Sequence, residues 1–133
     1  MWSFDDPAQV DLFAAQPRRM TTPARVTVSK SYIDMANRVV WHSDTDRFAR
    51  LYAFLWRLRD APSLMHDRGD AQLAHLRGLE KNVNRCAHKM KAFVRFRDLV
   101  ADGPRRRFAA WFEPTHHTVE PTAPFFANRF GDM

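Results

Sequence analysis

Apolar residues at Leu76, Leu79, Val83, Cys86 and Met90 recur at alternating steps of three and four, which predicts one face of a helix starting at Asp70. At about 100° per residue, Arg77, Lys81, Arg85, His88 and Lys91 fall within about a third of the circumference, almost opposite that stripe. From Phe93 the pattern changes to Phe-Val-Arg-Phe-Arg, whose aromatic and β-branched residues suit a strand over Ala92–Val100. The long helix therefore feeds directly into a strand, and both carry positive charge.

Two helices precede it. The first spans Lys30 to Trp41, capped by Ser29 or Ser31, with Ile33, Ala36 and Val40 on one face and Tyr32, Met35 and Val39 beside them. Ser43-Asp44-Thr45-Asp46 opens the second, capped by Ser43 or Asp44. Phe48, Leu51, Tyr52, Leu55 and Leu58 form its expected inward stripe, widened by Phe54 and Trp56. Asp60-Ala-Pro ends it, and Pro62–Gly69 reads as a link.

After the first strand, Ala101-Asp-Gly-Pro signals a turn, and alternation resumes over Arg105–Glu113. A hairpin over about 92–100 and 105–113 would point Val94, Phe96, Phe108, Ala110 and Phe112 inward. Its other face would show Arg95, Arg97, Arg107 and Trp111 together. Pro114–Pro121 is a loop, and Thr122 is expected to cap a short helix with Pro124 in its first turn and Phe125, Phe126 and Phe130 toward the core. The predicted fold class is α+β: three main helices and a short C-terminal helix packed on a small antiparallel sheet. Residues 1–25 read as an arm or linker before a single domain over 26–133. A two-stranded ribbon is marginal alone, so a third strand is expected from the N-terminal segment or from outside the chain.

Composition narrows the function. The chain has 133 residues, a net charge of +6 and a pI near 10.2, a balance that favours anionic partners, nucleic acid among them. A single cysteine, Cys86, excludes a disulfide framework and a cysteine-based zinc site, and its place on the apolar stripe makes it a core residue. No apolar run spans a bilayer and the N-terminus is no signal peptide, so a cytoplasmic protein without membrane contact is expected. Four glycines, none in a phosphate-binding pattern, disfavour nucleotide hydrolysis and dinucleotide chemistry.

Two clusters remain as candidate chemistry. Arg77, Lys81, Arg85, Lys89, Lys91, Arg95, Arg97 and Arg107, with Trp111, offer phosphate contacts and a stacking ring. The competing account is a solvated helix face and a charged sheet edge. His88, Glu113, His116 and His117 form the one set with catalytic potential. No HExxH or comparable spacing supports a metal among them, and no cofactor is implied. Structural hydrogen bonding is the default, with His88 turned to a strand carbonyl and His116 or His117 holding the loop.

Tyr52–Asp60 (YAFLWRLRD), His88–Arg97 (HKMKAFVRFR), Trp111–His117 (WFEPTHH) and Pro124–Phe130 (PFFANRF) resemble, in that order, a bacterial domain of unknown function described as belonging to DNA metabolism. That domain is often fused N-terminal to UdgX-type uracil-DNA glycosylases and is associated with a radical-SAM protein suspected of DNA repair. The resemblance covers about Val26 to Phe130. The family's chains carry more residues before segments like Trp2-Ser3 and Asp11-Leu12-Phe13, and continue past the last motif into a Trp-containing strand. This chain therefore reads as an excised domain or a shortened relative, and uracil excision is not carried over because the glycosylase half is missing.

The leading expectation is a non-enzymatic accessory module that binds nucleic acid, with DNA implied by the resemblance. The alternatives are an adaptor docking a glycosylase or radical-SAM partner through the sheet edge and the aromatic C-terminal helix, or a His/Glu enzyme acting on DNA.

Overall fold

The computed structural model describes residues 27–100 and 103–131. Four helices and a two-stranded antiparallel sheet run in the order α1 (Lys30–Val39), α2 (Arg47–Asp60), α3 (Ala71–Phe93), β1 (Arg97–Leu99), β2 (Arg107–Ala109) and α4 (Val119–Phe130). The class is α+β, as the patterning predicts. The arm over 1–25 and the N-terminal source of a third strand lie outside the described residues. Among the described residues, no helix is long and apolar enough to cross a membrane.

The core forms where α1 and α2 lie against α3. Its buried members are Tyr32, Met35 and Val39 of α1, Leu51, Phe54 and Leu58 of α2, and Leu73, Leu76 and Leu79 of α3. Met65 joins them from a 3-10 turn over Pro62–His66, in the stretch expected to be a plain link. Farther along α3, Val83, Cys86 and Met90 are also buried, so the whole predicted stripe points inward.

Local chemistry sets the helix ends. Ser29 caps α1, its hydroxyl accepting from the Tyr32 backbone N–H at 3.3 Å. Asp70 caps α3 through the Leu73 N–H at 2.9 Å. The Arg57 guanidinium donates to both Asp70 oxygens and thereby ties α2 to the start of α3. The start of α2 differs from expectation. Asp44 spends its carboxylate on the Asp46 N–H at 2.9 Å, and the helix begins at Arg47. The Arg47 side chain donates to the carbonyls of Val40 and Asp44, holding the loop closed.

Two apolar faces also differ from expectation. Ile33 is exposed on α1, and on α2 Phe48, Tyr52 and Trp56 are exposed while Phe54 is fully buried. The reason is a contact between Tyr32 of α1 and the inner face of α2. The Tyr32 hydroxyl donates to the Leu51 carbonyl at 2.8 Å, and its ring stacks on Phe54 at 6.3 Å. That contact pulls Leu51, Phe54 and Leu58 inward and leaves the Phe48-Tyr52-Trp56 stripe on the surface.

α4 begins earlier than predicted. Thr118, not Thr122, occupies the cap position, and Pro121 rather than Pro124 falls in the first turn. Both threonines are buried, with the Thr118 hydroxyl 3.3 Å from Cys86 Sγ and the Thr122 hydroxyl 3.1 Å from Met90 Sδ. A helix pinned by two small hydroxyls sits close to the last two turns of α3.

The hairpin is shorter than the alternation predicts. Arg97 pairs with Ala109, Asp98 with Phe108 and Leu99 with Arg107. All three β1 residues are exposed and only Phe108 of β2 is half-buried. Phe96 anchors the hairpin's base, its ring packing on Phe126 and Phe130.

Candidate nucleic-acid interface

With the apolar stripe of α3 turned inward, Arg77, Lys81, Arg85, His88, Lys89 and Lys91 are all exposed. They are not equivalent. Arg77 donates to Glu80 at 2.9 Å, and Glu80 also accepts from Arg38 of α1 at 2.9 Å, so Arg77 belongs to a bridge between two helices. The Lys91 ammonium lies over the Phe125 ring at 5.0 Å from its centre. Arg95 folds back on the end of α3, donating to the carbonyls of Ala92 and Val94. Among the described residues, Lys81, Arg85, Lys89, Arg97 and Arg107 have no acidic side chain within salt-bridge distance.

The hairpin register places Arg97, Leu99, Arg107 and Ala109 on one face, because directly paired residues share a side and alternate residues repeat it. Asp98 and Phe108 take the other face, where Arg106 pairs with Asp98 and lies over Phe108. The predicted grouping of Arg97 with Arg107 therefore holds. Trp111 follows two residues beyond the paired ladder and is 90% exposed.

The segment after Trp111 returns to α3. Asn82, Arg85 and Lys89 face Phe112 to His116 across a cleft of about 250 Å³. Glu113 lies in that cleft beside the two cations. His116 also lines it, so Glu113 and His116 are the members of the expected catalytic set that the fold brings together. His88 is exposed on α3 rather than turned to a strand carbonyl. His117 is held away through its backbone N–H, which donates to the Trp41 carbonyl at 2.9 Å. Among the described residues, no three His, Cys, Asp or Glu side chains are grouped to hold a metal ion.

His116 has a structural role of its own. Its Nδ1 accepts from the Ser43 backbone N–H at 3.2 Å and stands 2.9 Å from the Ser43 hydroxyl. Its ring lies 4.0 Å from that of His42, whose Nδ1 accepts from the Asp44 N–H at 2.9 Å. His42 is 8% exposed, and among the described residues its Nε2 has no hydrogen-bond partner. Burial, then the neighbouring His116, holds the His42 imidazole below its usual pKa. Burial followed by His117 does the same for His116. The two rings are thus kept neutral, clasping the α1–α2 loop to the loop that carries the cleft.

Exposed aromatics are what the residue pattern hid. Tyr52 and Trp56 stack on each other at 6.3 Å on the outer face of α2, and Arg59 lies 4.2 Å from the Trp56 ring centre.

A small α+β module with a cation-lined cleft, an exposed tryptophan and a basic ribbon is the class that fold and surface define. A family described as a domain of unknown function, DUF4130, matches residues 45–133, and the chain belongs to that family. The match covers α2 through α4, including the cleft and hairpin; α1 precedes it. No curated protein and no solved structure matches the chain significantly.

Proposed function

We propose that this chain is a non-catalytic module that binds nucleic acid along the cleft and the outer face of the hairpin. The observation that carries the reading is Trp111, 90% exposed, on the segment between the ribbon of Arg97 and Arg107 and the cleft of Arg85 and Lys89, four cations that form no salt bridge among the described residues. Arg85 and Lys89 line the cleft with Phe112, the residue after Trp111, and Arg97 and Arg107 share a face of the ribbon that leads to it. A large aromatic ring left in water gains nothing for the fold, whereas a base stacked on it contributes about 1–3 kcal/mol. Arginine and lysine on both sides supply phosphate contacts.

The resemblance of the four motifs to a DNA-metabolism domain makes DNA the preferred nucleic acid and cytoplasmic DNA repair the setting, beside a uracil-DNA glycosylase or radical-SAM partner. Glu113 beside Arg85 and Lys89 would repel a phosphate placed deep in the cleft, so contact is at its rim. Fluorescence anisotropy with labelled single- and double-stranded DNA at low salt tests the reading. Trp111→Ala is expected to weaken binding by about 5- to 150-fold, the equivalent of one stacked base. Equal affinity of Trp111→Ala and the native chain would overturn it.

A further inference from the structure

Lys91 and Lys89 stand at opposite edges of the basic face of α3, about 200° apart around the helix. Lys91 lines, with Arg95 and Arg129, a separate pocket of about 530 Å³ between the end of α3 and the C-terminal half of α4. The floor is aromatic: Phe96 packs edge-on against Phe126 at 5.6 Å and tilts against Phe130 at 4.8 Å. Among the described residues, no acidic side chain lines the pocket.

The rings are turned against each other, and cations already lie over two of them, Lys91 at 5.0 Å from the Phe125 centre and Arg129 at 6.0 Å from that of Phe130. A cation therefore already covers one face of Phe125 and one face of Phe130. What the pocket offers is about 530 Å³ lined by Phe96, Phe125, Phe126 and Phe130 together with Lys91, Arg95 and Arg129, room for a branched or aromatic side chain beside three positive charges. Half-buried Phe126 and Phe130 supply the apolar contact, and carboxylates flanking the inserted side chain would neutralise Lys91, Arg95 and Arg129. Arg95 spends one guanidinium nitrogen on the end of α3, which fixes its direction and leaves its remaining N–H groups for a carboxylate.

We propose that this pocket is a docking site for an acidic peptide segment of a partner protein, anchored by a leucine or aromatic side chain. The site shares no residue with the Arg85, Lys89 and Trp111 surface and does not depend on nucleic-acid binding.

Selection of random dodecamer peptides displayed on phage, against the full chain, tests it, followed by anisotropy with the most enriched peptide. Enriched sequences are expected to combine acids with a Leu, Phe or Trp. Lys91→Glu with Arg129→Glu, both at exposed positions, should weaken the labelled peptide by at least about tenfold with an unchanged melting temperature, and Arg85→Ala should leave it unaffected. Phe126→Ala should weaken it as well. No enrichment, neutral or basic enriched sequences, or binding indifferent to the charge reversals would overturn the proposal. So would displacement of the peptide by an oligothymidine whose own affinity falls in the charge-reversed chain, which would give the pocket to nucleic acid.

Discussion

Phe54 and Tyr52 sit two residues apart on α2, and alternation of their fates is the sharpest consequence of the packing. Phe54 is fully buried against Tyr32, whereas Tyr52 is 66% exposed. Phe54→Ala removes a ring from a site that cannot collapse around it, at a cost of about 3–5 kcal/mol. A fully buried aromatic removes roughly 150–250 Å² from water. The third of Tyr52 that is covered is then about 50–80 Å², or about 1–2 kcal/mol at ~25 cal/mol/Å² as an upper bound. A domain of this size has roughly 7–15 kcal/mol in total, so Phe54→Ala remains folded but close to its limit. Its melting temperature should fall by about 10–20 °C, and that of Tyr52→Ala by no more than about 8 °C. Urea and thermal unfolding followed by circular dichroism measure both. Tyr52→Ala costing as much as Phe54→Ala would refute the orientation of α2.

The histidine clasp makes stability depend on pH in a defined window. Both imidazoles are held below their usual pKa by burial, so the unfolded chain takes up protons first as pH drops below about 6.5. Stability should be flat above about pH 7 and fall progressively toward pH 5. The carboxyls of Asp44 and Asp70 are held below their ordinary value, by the Asp46 N–H and by Arg57 respectively, and act only under about pH 4. His42→Asn keeps an acceptor for the Asp44 N–H, removes the unpartnered Nε2 and should flatten the slope; a slope unchanged in that variant would rule out His42 as its source. At the start of α3, Asp70→Asn retains the helix cap and loses the charge opposite Arg57, whereas Asp70→Ala loses both. Thermal unfolding should therefore rank native above Asn above Ala, and equal melting temperatures for the two variants would contradict the cap.

How far the residues alone reach depends on the element. α3 is legible because one apolar stripe runs unbroken from Leu73 to Met90 and nothing on its other face competes with it. α2 carries two overlapping stripes, Phe48-Tyr52-Trp56 and Leu51-Phe54-Leu58, of similar hydrophobicity. Only the tertiary contact of Tyr32 with Leu51 and Phe54 decides between them. The α4 boundary slips because Thr118 and Thr122 are both cap residues and Pro121 and Pro124 both suit a first turn. Burial of the threonines against Cys86 and Met90 selects the earlier start. In the candidate interface, the charge and Trp111 are readable from the residues. The removal of Arg77 by Glu80, Lys91 by Phe125 and Arg95 by its own helix end is not, since each depends on where a side chain turns.

The salt dependence of DNA binding tests the central claim most directly. Anisotropy titrations of the full chain between about 50 and 200 mM salt should give a steep negative slope of log affinity against log salt. Arg85→Ala with Lys89→Ala should reduce that slope by about 1.5–2, and Arg97→Ala with Arg107→Ala by a similar amount, whereas Arg77→Ala, whose cation is already paired, should change it little. A slope near zero in the native chain, or the same slope in every variant, would contradict a nucleic-acid role for this surface.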